Sequence, residues 1–187
     1  MLRTNILAYI ILHSALVSAP AYANQSSVLN PEPNKEEAWT VNYVTENSVH
    51  TSVNGQITHG DRLHIRLVKN HCMKGNLLTF VYTTQQDVDF SELKNKLVRS
   101  QFAGQNAKVK ILYIAPFIAG HRATVDMGWI DLEPLTKILK ISDPIRMEFL
   151  DTSDFQISRY FDVLQNSWSN KGVRASLERA VQMCKNL

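Results

Sequence analysis

Cysteine is nearly absent: only Cys72 and Cys184 occur in 187 residues. They can form one bridge at most within the chain, so the protein is not a small disulfide-stapled scaffold. Glycine is thin too, at seven residues, and no glycine-rich phosphate loop is present. No G-x-S-x-G turn occurs to hold a strained serine nucleophile. Internal repeats, heptad arrays and low-complexity tracts are missing. The 20 lysines and arginines are scattered and never gather into a block. A nucleic-acid surface needs a clustered basic stripe, because each neutralised phosphate releases counterions and adds to affinity; no nucleic-acid partner is expected.

Long apolar runs are also lacking beyond the first residues. The best internal stretch, "VKILYIAPFIAG", is interrupted by Lys110 and Pro116, well short of the roughly 20 residues a bilayer-spanning helix needs. The start of the chain differs. "MLRTNILAYIILHSALVSAPAYANQ" has Arg3 near its beginning, an apolar core from Ile6 to Val17, and a small-residue site at Ala21 and Ala23. This is the layout of a secretory signal, with cleavage expected after Ala23. Residues 1–23 are read as signal peptide, 24–37 as a flexible polar leader holding Pro31 and Pro33, and 38–187 as one β-rich domain. Periplasmic residence is expected, with secretion as the alternative, and no transmembrane segment in the mature chain.

Cleavage removes Arg3 and no acid, so 19 basic residues face 17 acidic ones and the formal charge falls from +3 to +2. The 164 residues left fit one domain able to bury roughly two thirds of its unfolded surface.

From Ala38 onward the dominant hydrophobic period is two. Trp39, Val41 and Tyr43 share a face; so do Leu63, Ile65 and Leu67, with His64 and Arg66 opposite. The alternation continues with Leu78, Phe80 and Tyr82, with Val109, Ile111 and Tyr113, and with Ala123, Val125, Met127 and Trp129. A further strand holds Ile145, Met147 and Phe149. Helical spacing is confined to two places: Leu132, Leu135 and Leu139 after Asp131 as N-cap, and Val173, Leu177, Val181 and Cys184 at the end. "FSELKNKLV" suggests one helical turn leading into another strand. The expected fold is all-β or β-rich α+β: an antiparallel sheet or sandwich with a short internal helix and a C-terminal amphipathic helix.

"HGDRLHIRLVKNHC" concentrates His59, Asp61, His64 and His71 ahead of Cys72. The preferred reading is a solvated strand face beside a polar turn. The alternative is a metal site using His59, Asp61 and His64 with His71 or His121, which would make the chain a small secreted metal-binding protein or metal-dependent hydrolase. Catalytic sets are not apparent. His121 and Asp126 are five apart and face opposite ways on one strand, and Glu148, Asp151 and Asp154 read as solvated acids. Neither a catalytic residue nor a cofactor is expected.

Tyr160, Phe161 and Trp168 precede the last helix. They are read as stapling that helix to the sheet, or, if exposed, as an aromatic patch for a partner. In layout, a strand-rich exported domain ending in a helix with Cys184, the chain is similar to small bacterial periplasmic proteins of the invasion-associated locus B type. Its two cysteines are fewer than that group suggests, and no site residue is carried over. The functional expectation is an exported interaction module without catalytic activity, its partner another envelope or extracellular protein. Cys72 and Cys184, left as the one pair in an oxidising compartment, are expected to bond to each other.

Overall fold

The computed structural model describes residues 39–187. The expected signal peptide and leader lie outside the described residues. Among the described residues nine strands form one antiparallel sheet: β1 (Trp39–Thr45), β2 (Ser48–Asn54), β3 (Arg62–Val68), β4 (Lys74–Thr83), β5 (Leu97–Phe102), β6 (Gln105–Phe117), β7 (Gly120–Asp131), β8 (Ile145–Phe149) and β9 (Gln165–Trp168). Their spatial order is β1-β2-β3-β4-β7-β6-β5-β8-β9. Two helices complete the fold, α1 (Leu132–Ile141) and α2 (Val173–Lys185). Among the described residues no helix is long and apolar enough to cross a membrane.

The fold is thus β-rich, as the period-two pattern implies, but it is one sheet rather than a sandwich. The sheet curls into a half-barrel, so its first and last strands approach each other. The Trp39 indole donates to the Ser169 carbonyl at 2.8 Å, and the Gln56 amide donates to the Ser167 carbonyl at 2.9 Å. Curling gives the sheet an inner face, and the core fills it. Val49, Leu63, Ile65, Leu67, Leu77, Val125, Val109, Ile145, Phe149 and Trp168 are all buried there, with Leu135, Leu139 and Leu177 from the helices.

Helix α2 packs on β1, β2 and β3 from the inner side. Its Ser176 hydroxyl pairs with that of Thr51 at 3.0 Å, and its Cys184 is bonded to Cys72, in the turn after β3. Phe90–Leu93 forms a single 3-10 turn before β5, capped by the Asp89 side chain. Asp131 stands at the N-cap position of α1, though its side chain makes no capping bond.

Several side-chain placements differ from the sequence reading; Tyr43, grouped by period with the buried Trp39 and Val41, is 56% exposed toward the end of edge strand β1. In β4 the inner face carries Leu77, Thr79, Val81 and Thr83, all buried, whereas Leu78, Phe80 and Tyr82 point to the outer face and are half-buried. Both faces of β4 carry large side chains, so apolarity alone did not identify the inner one. Tyr113 and Trp129 are exposed, at 52% and 54%, because each follows an irregularity in strand pairing. Leu112 is the extra residue in β6 and Met127 the extra one in β7. One inserted residue reverses every side chain beyond it.

Candidate functional site

Two polar places deserve comparison, one on each side of β3. On the inner side, Asp61 lies just before the strand, in phase with Leu63 and Ile65, and is 3% exposed. One carboxylate oxygen accepts the Tyr82 amide at 2.7 Å. The other accepts the side-chain amide of Asn166 on β9. The orientation of Asn166 is fixed, since its oxygen accepts the Ser167 amide at 2.7 Å and its NH2 must then face Asp61. Burial pushes the Asp61 carboxyl up to about 7, against the pull of both donors, and the nearby Asp162 adds to the rise. With both oxygens engaged and no open side, Asp61 joins the ends of the curled sheet rather than meeting a substrate.

A methyl group on Gly55 would stand 2.9 Å from the Asp61 Cβ and 3.0 Å from the Asn166 amide nitrogen. The turn after β2 closes on this seam because it has a glycine there.

The outer side is a broader surface. Pairing across β3, β4, β7 and β6 aligns Arg62 with Phe80, Thr124 and Tyr113 in one row. A second row runs from His50 through Arg66 and Asn76 to Trp129. Between them Ser52, His64, Leu78, Asp126 and Lys110 form a third. Each outer row therefore carries an arginine toward one end and an exposed aromatic at the other.

Stacking organises the middle of this face. The Arg122 guanidinium lies 4.5 Å from the centre of the Phe80 ring and 4.4 Å from that of Phe117. The His64 ring also packs on Phe80, 4.5 Å between ring centres, and His50 stands 5.8 Å from His64. Gly60, at φ +95°, lets Phe117 lie against the turn before β3, where a Cβ would stand 2.9 Å from its ring.

His64 is 8% exposed, so it is not the solvated residue that its alternating position suggests. Among the described residues neither of its ring nitrogens has a hydrogen-bond partner; the same holds for His50 Nε2 and Arg66 Nε. Burial holds His64 down at about 3, assisted by His50, Arg62 and Arg122, and holds His50 at about 4, assisted by Arg66. Both rings are neutral at physiological pH. The face presents guanidinium groups and exposed aromatic side chains over these buried imidazoles.

The other candidate residues are dispersed. His59 and His71 are exposed in separate turns, and His121 contacts the Gln85 carbonyl at 3.1 Å through Nδ1. Among the described residues no three His, Cys, Asp or Glu side chains are grouped to hold a metal ion. Asp61 and His64 lie on opposite faces of the sheet, so they do not converge. The Cys72–Cys184 bond removes both thiols from any nucleophilic role.

Tyr160, Phe161 and Trp168 are buried and present no aromatic patch. Phe161 packs on Phe149 at 5.2 Å, and the Tyr160 hydroxyl donates to Glu92 at 2.7 Å. Trp129 and Tyr113 are exposed although the period-two pattern places them inward, and the sequence reading does not single out Arg62, Arg122, Phe117 or Asn166. The alternation of Arg62, His64 and Arg66 on one face of β3 was the available signal. Comparison with protein-family models, curated proteins and solved structures finds no match for the chain.

Proposed function

We propose that this chain is an exported binding module, acting without catalysis in the periplasm or outside the cell. It holds another envelope or extracellular protein on the outer face of β3, β4, β7 and β6. The observation that carries this reading is the pair of irregularities at Leu112 and Met127, which turn Tyr113 and Trp129 onto the face already bearing Arg62, Arg66 and Arg122. Bulges that re-aim side chains are characteristic of functional edges, and aromatic residues with arginine make up the usual energetic centre of a protein interface. Export is supported by the sequence of residues 1–23 and agrees with the disulfide between Cys72 and Cys184.

The test is crosslinking and co-purification from the native envelope fraction, comparing the natural chain with Trp129→Ala/Tyr113→Ala. A defined partner lost with the double variant supports the reading. Equal recovery by both chains refutes it.

A further inference from the structure

The electrostatics of the same face specify what its partner presents. We propose that the outer face of β3, β4 and β7 receives an acidic, extended protein segment whose carboxylates pair with Arg62, Arg66 and Arg122; this rests on the binding-module reading.

Three guanidinium groups share the surface, and among the described residues none of them has a carboxylate partner in an ion pair. Arg62 donates instead to the neutral Asn54 side chain at 2.9 Å. Asp126, the carboxylate on this part of the face, accepts the Asn76 and Gly128 amides on its Oδ1, each at 2.8 Å, and among the described residues it makes no ion pair with any of the three guanidinium groups. Three guanidinium groups thus face one carboxylate, and the surface keeps a net positive charge where the aromatic residues gather. His64, more than nine-tenths buried, adds two ring nitrogens that have no hydrogen-bond partner among the described residues. Buried polar groups without partners are rare in folded chains, and a ligand acceptor that reaches the one N–H of the neutral ring lowers the cost.

Spacing selects the kind of anion. Arg62 and Arg66 are four residues apart on one strand, about 13 Å at the usual rise, and the path from Arg62 to Tyr113 crosses three strand spacings, about 14 Å. One phosphate cannot reach groups so widely separated. An extended peptide can, since alternate side chains on one of its faces repeat at about 7 Å. Arg122, stacked between Phe80 and Phe117, is already ordered and keeps its nitrogen edges for a carboxylate. Trp129 and Tyr113 offer apolar contact at the row ends.

The decisive measurement titrates disulfide-bonded mature protein with a fluorescent ten-residue peptide alternating Glu and Ser, its Gln/Ser counterpart, inorganic polyphosphate and phosphatidylglycerol vesicles, followed by NMR and anisotropy. The Glu peptide is expected to bind saturably, to shift signals of Arg62, His64, Arg66, Arg122 and Trp129, and to weaken at least tenfold with Arg66→Gln or Arg122→Gln. Near-UV circular dichroism establishes that each variant is folded, and Arg66→Lys is expected to keep part of the affinity. Equal binding of the Gln peptide, shifts elsewhere, or binding confined to polyphosphate or vesicles overturns the proposal. If Trp129→Ala/Tyr113→Ala loses the envelope partner while the arginine variants retain it, the acidic-segment proposal fails and the binding-module reading survives. If neither set of variants alters recovery, both fail.

Discussion

The Asn166 side chain donates to the Asp61 carboxylate across 105 residues of sequence, joining the turn before β3 to β9 at the other end of the sheet. Antiparallel pairing links each strand to its neighbours, but nothing in the ladder itself joins the first half of the sheet to the last strand. This contact, with the Gln56 to Ser167 bond, holds the curl. Asp61→Ala would leave the Tyr82 amide and the Asn166 NH2 without acceptors in a buried place. A loss of about 2 to 4 kcal/mol is expected in urea unfolding. A change below about 0.5 kcal/mol would remove the seam from the account of stability.

Asp61 and the two histidines impose opposite pH dependences. The folded pKa of Asp61 lies near 7 against an ordinary 3.8, so between those values the folded state holds more protons and stability falls as pH rises. His64 and His50 are lowered to about 3 and about 4 from 6.5, so the unfolded state holds more protons and stability falls as pH drops below 6.5. From about pH 4 to 6.5 the two effects oppose each other. Asp61→Asn is therefore expected to gain stability with rising pH across this window, and His50→Gln/His64→Leu to lose it. Denaturation series at several pH values give both slopes, and slopes of the same sign would contradict the assignments.

His64 pays a stability cost that its position does not require. Leucine fills a similar volume against Phe80 without two unpartnered nitrogens. His64→Leu is expected to stabilise the fold by about 1 kcal/mol while weakening the acidic peptide, the pattern of a site residue. His64→Ala, which opens space instead, is expected to cost about 1 to 3 kcal/mol. Thermal unfolding of the two variants separates them, and destabilisation by leucine would mean that the imidazole makes a contact of structural value.

How far the sequence reveals this arrangement varies by element. β3 and β8 are legible because one face is strictly apolar, as Leu63, Ile65 and Leu67 or Ile145, Met147 and Phe149 show. β2 and β9 are not, since "SVHTSVN" and "QNSW" bury Ser48, Thr51, Asn166 and Ser167, whose types give no inward signal. The irregularities at Leu112 and Met127 are set by pairing with a neighbouring strand, so a one-strand pattern assigned Tyr113 and Trp129 to the wrong face. The seam from Asp61 to Asn166 depends on the closure of the whole sheet. The arginine face is partly legible in "RLHIR", but its other half comes from Phe80, Phe117 and Arg122 on strands that only the fold brings beside it.

The disulfide was legible for a simpler reason: two cysteines allow one intramolecular pairing, here closing a sequence separation of 112 residues. Restricting so long a loop in the unfolded chain is worth about 4 to 5 kcal/mol in the chain-entropy model. The native effect should be local, because Cys184 lies near the end of α2 and Cys72 in the turn after β3. Ties in the same region include the Thr51 to Ser176 hydroxyl pair on α2 and the contact of the Lys69 amine with the Leu187 carbonyl just beyond the helix. Cys72→Ala/Cys184→Ala is therefore expected to speed amide exchange over 173–185 first, while β5, β6 and β7 keep their protection. Intact-mass measurement without reductant should show the natural chain two hydrogens lighter than its reduced form, with no thiol open to alkylation. Uniform acceleration across all strands would show that the bond supports the whole sheet and not the packing of its final helix.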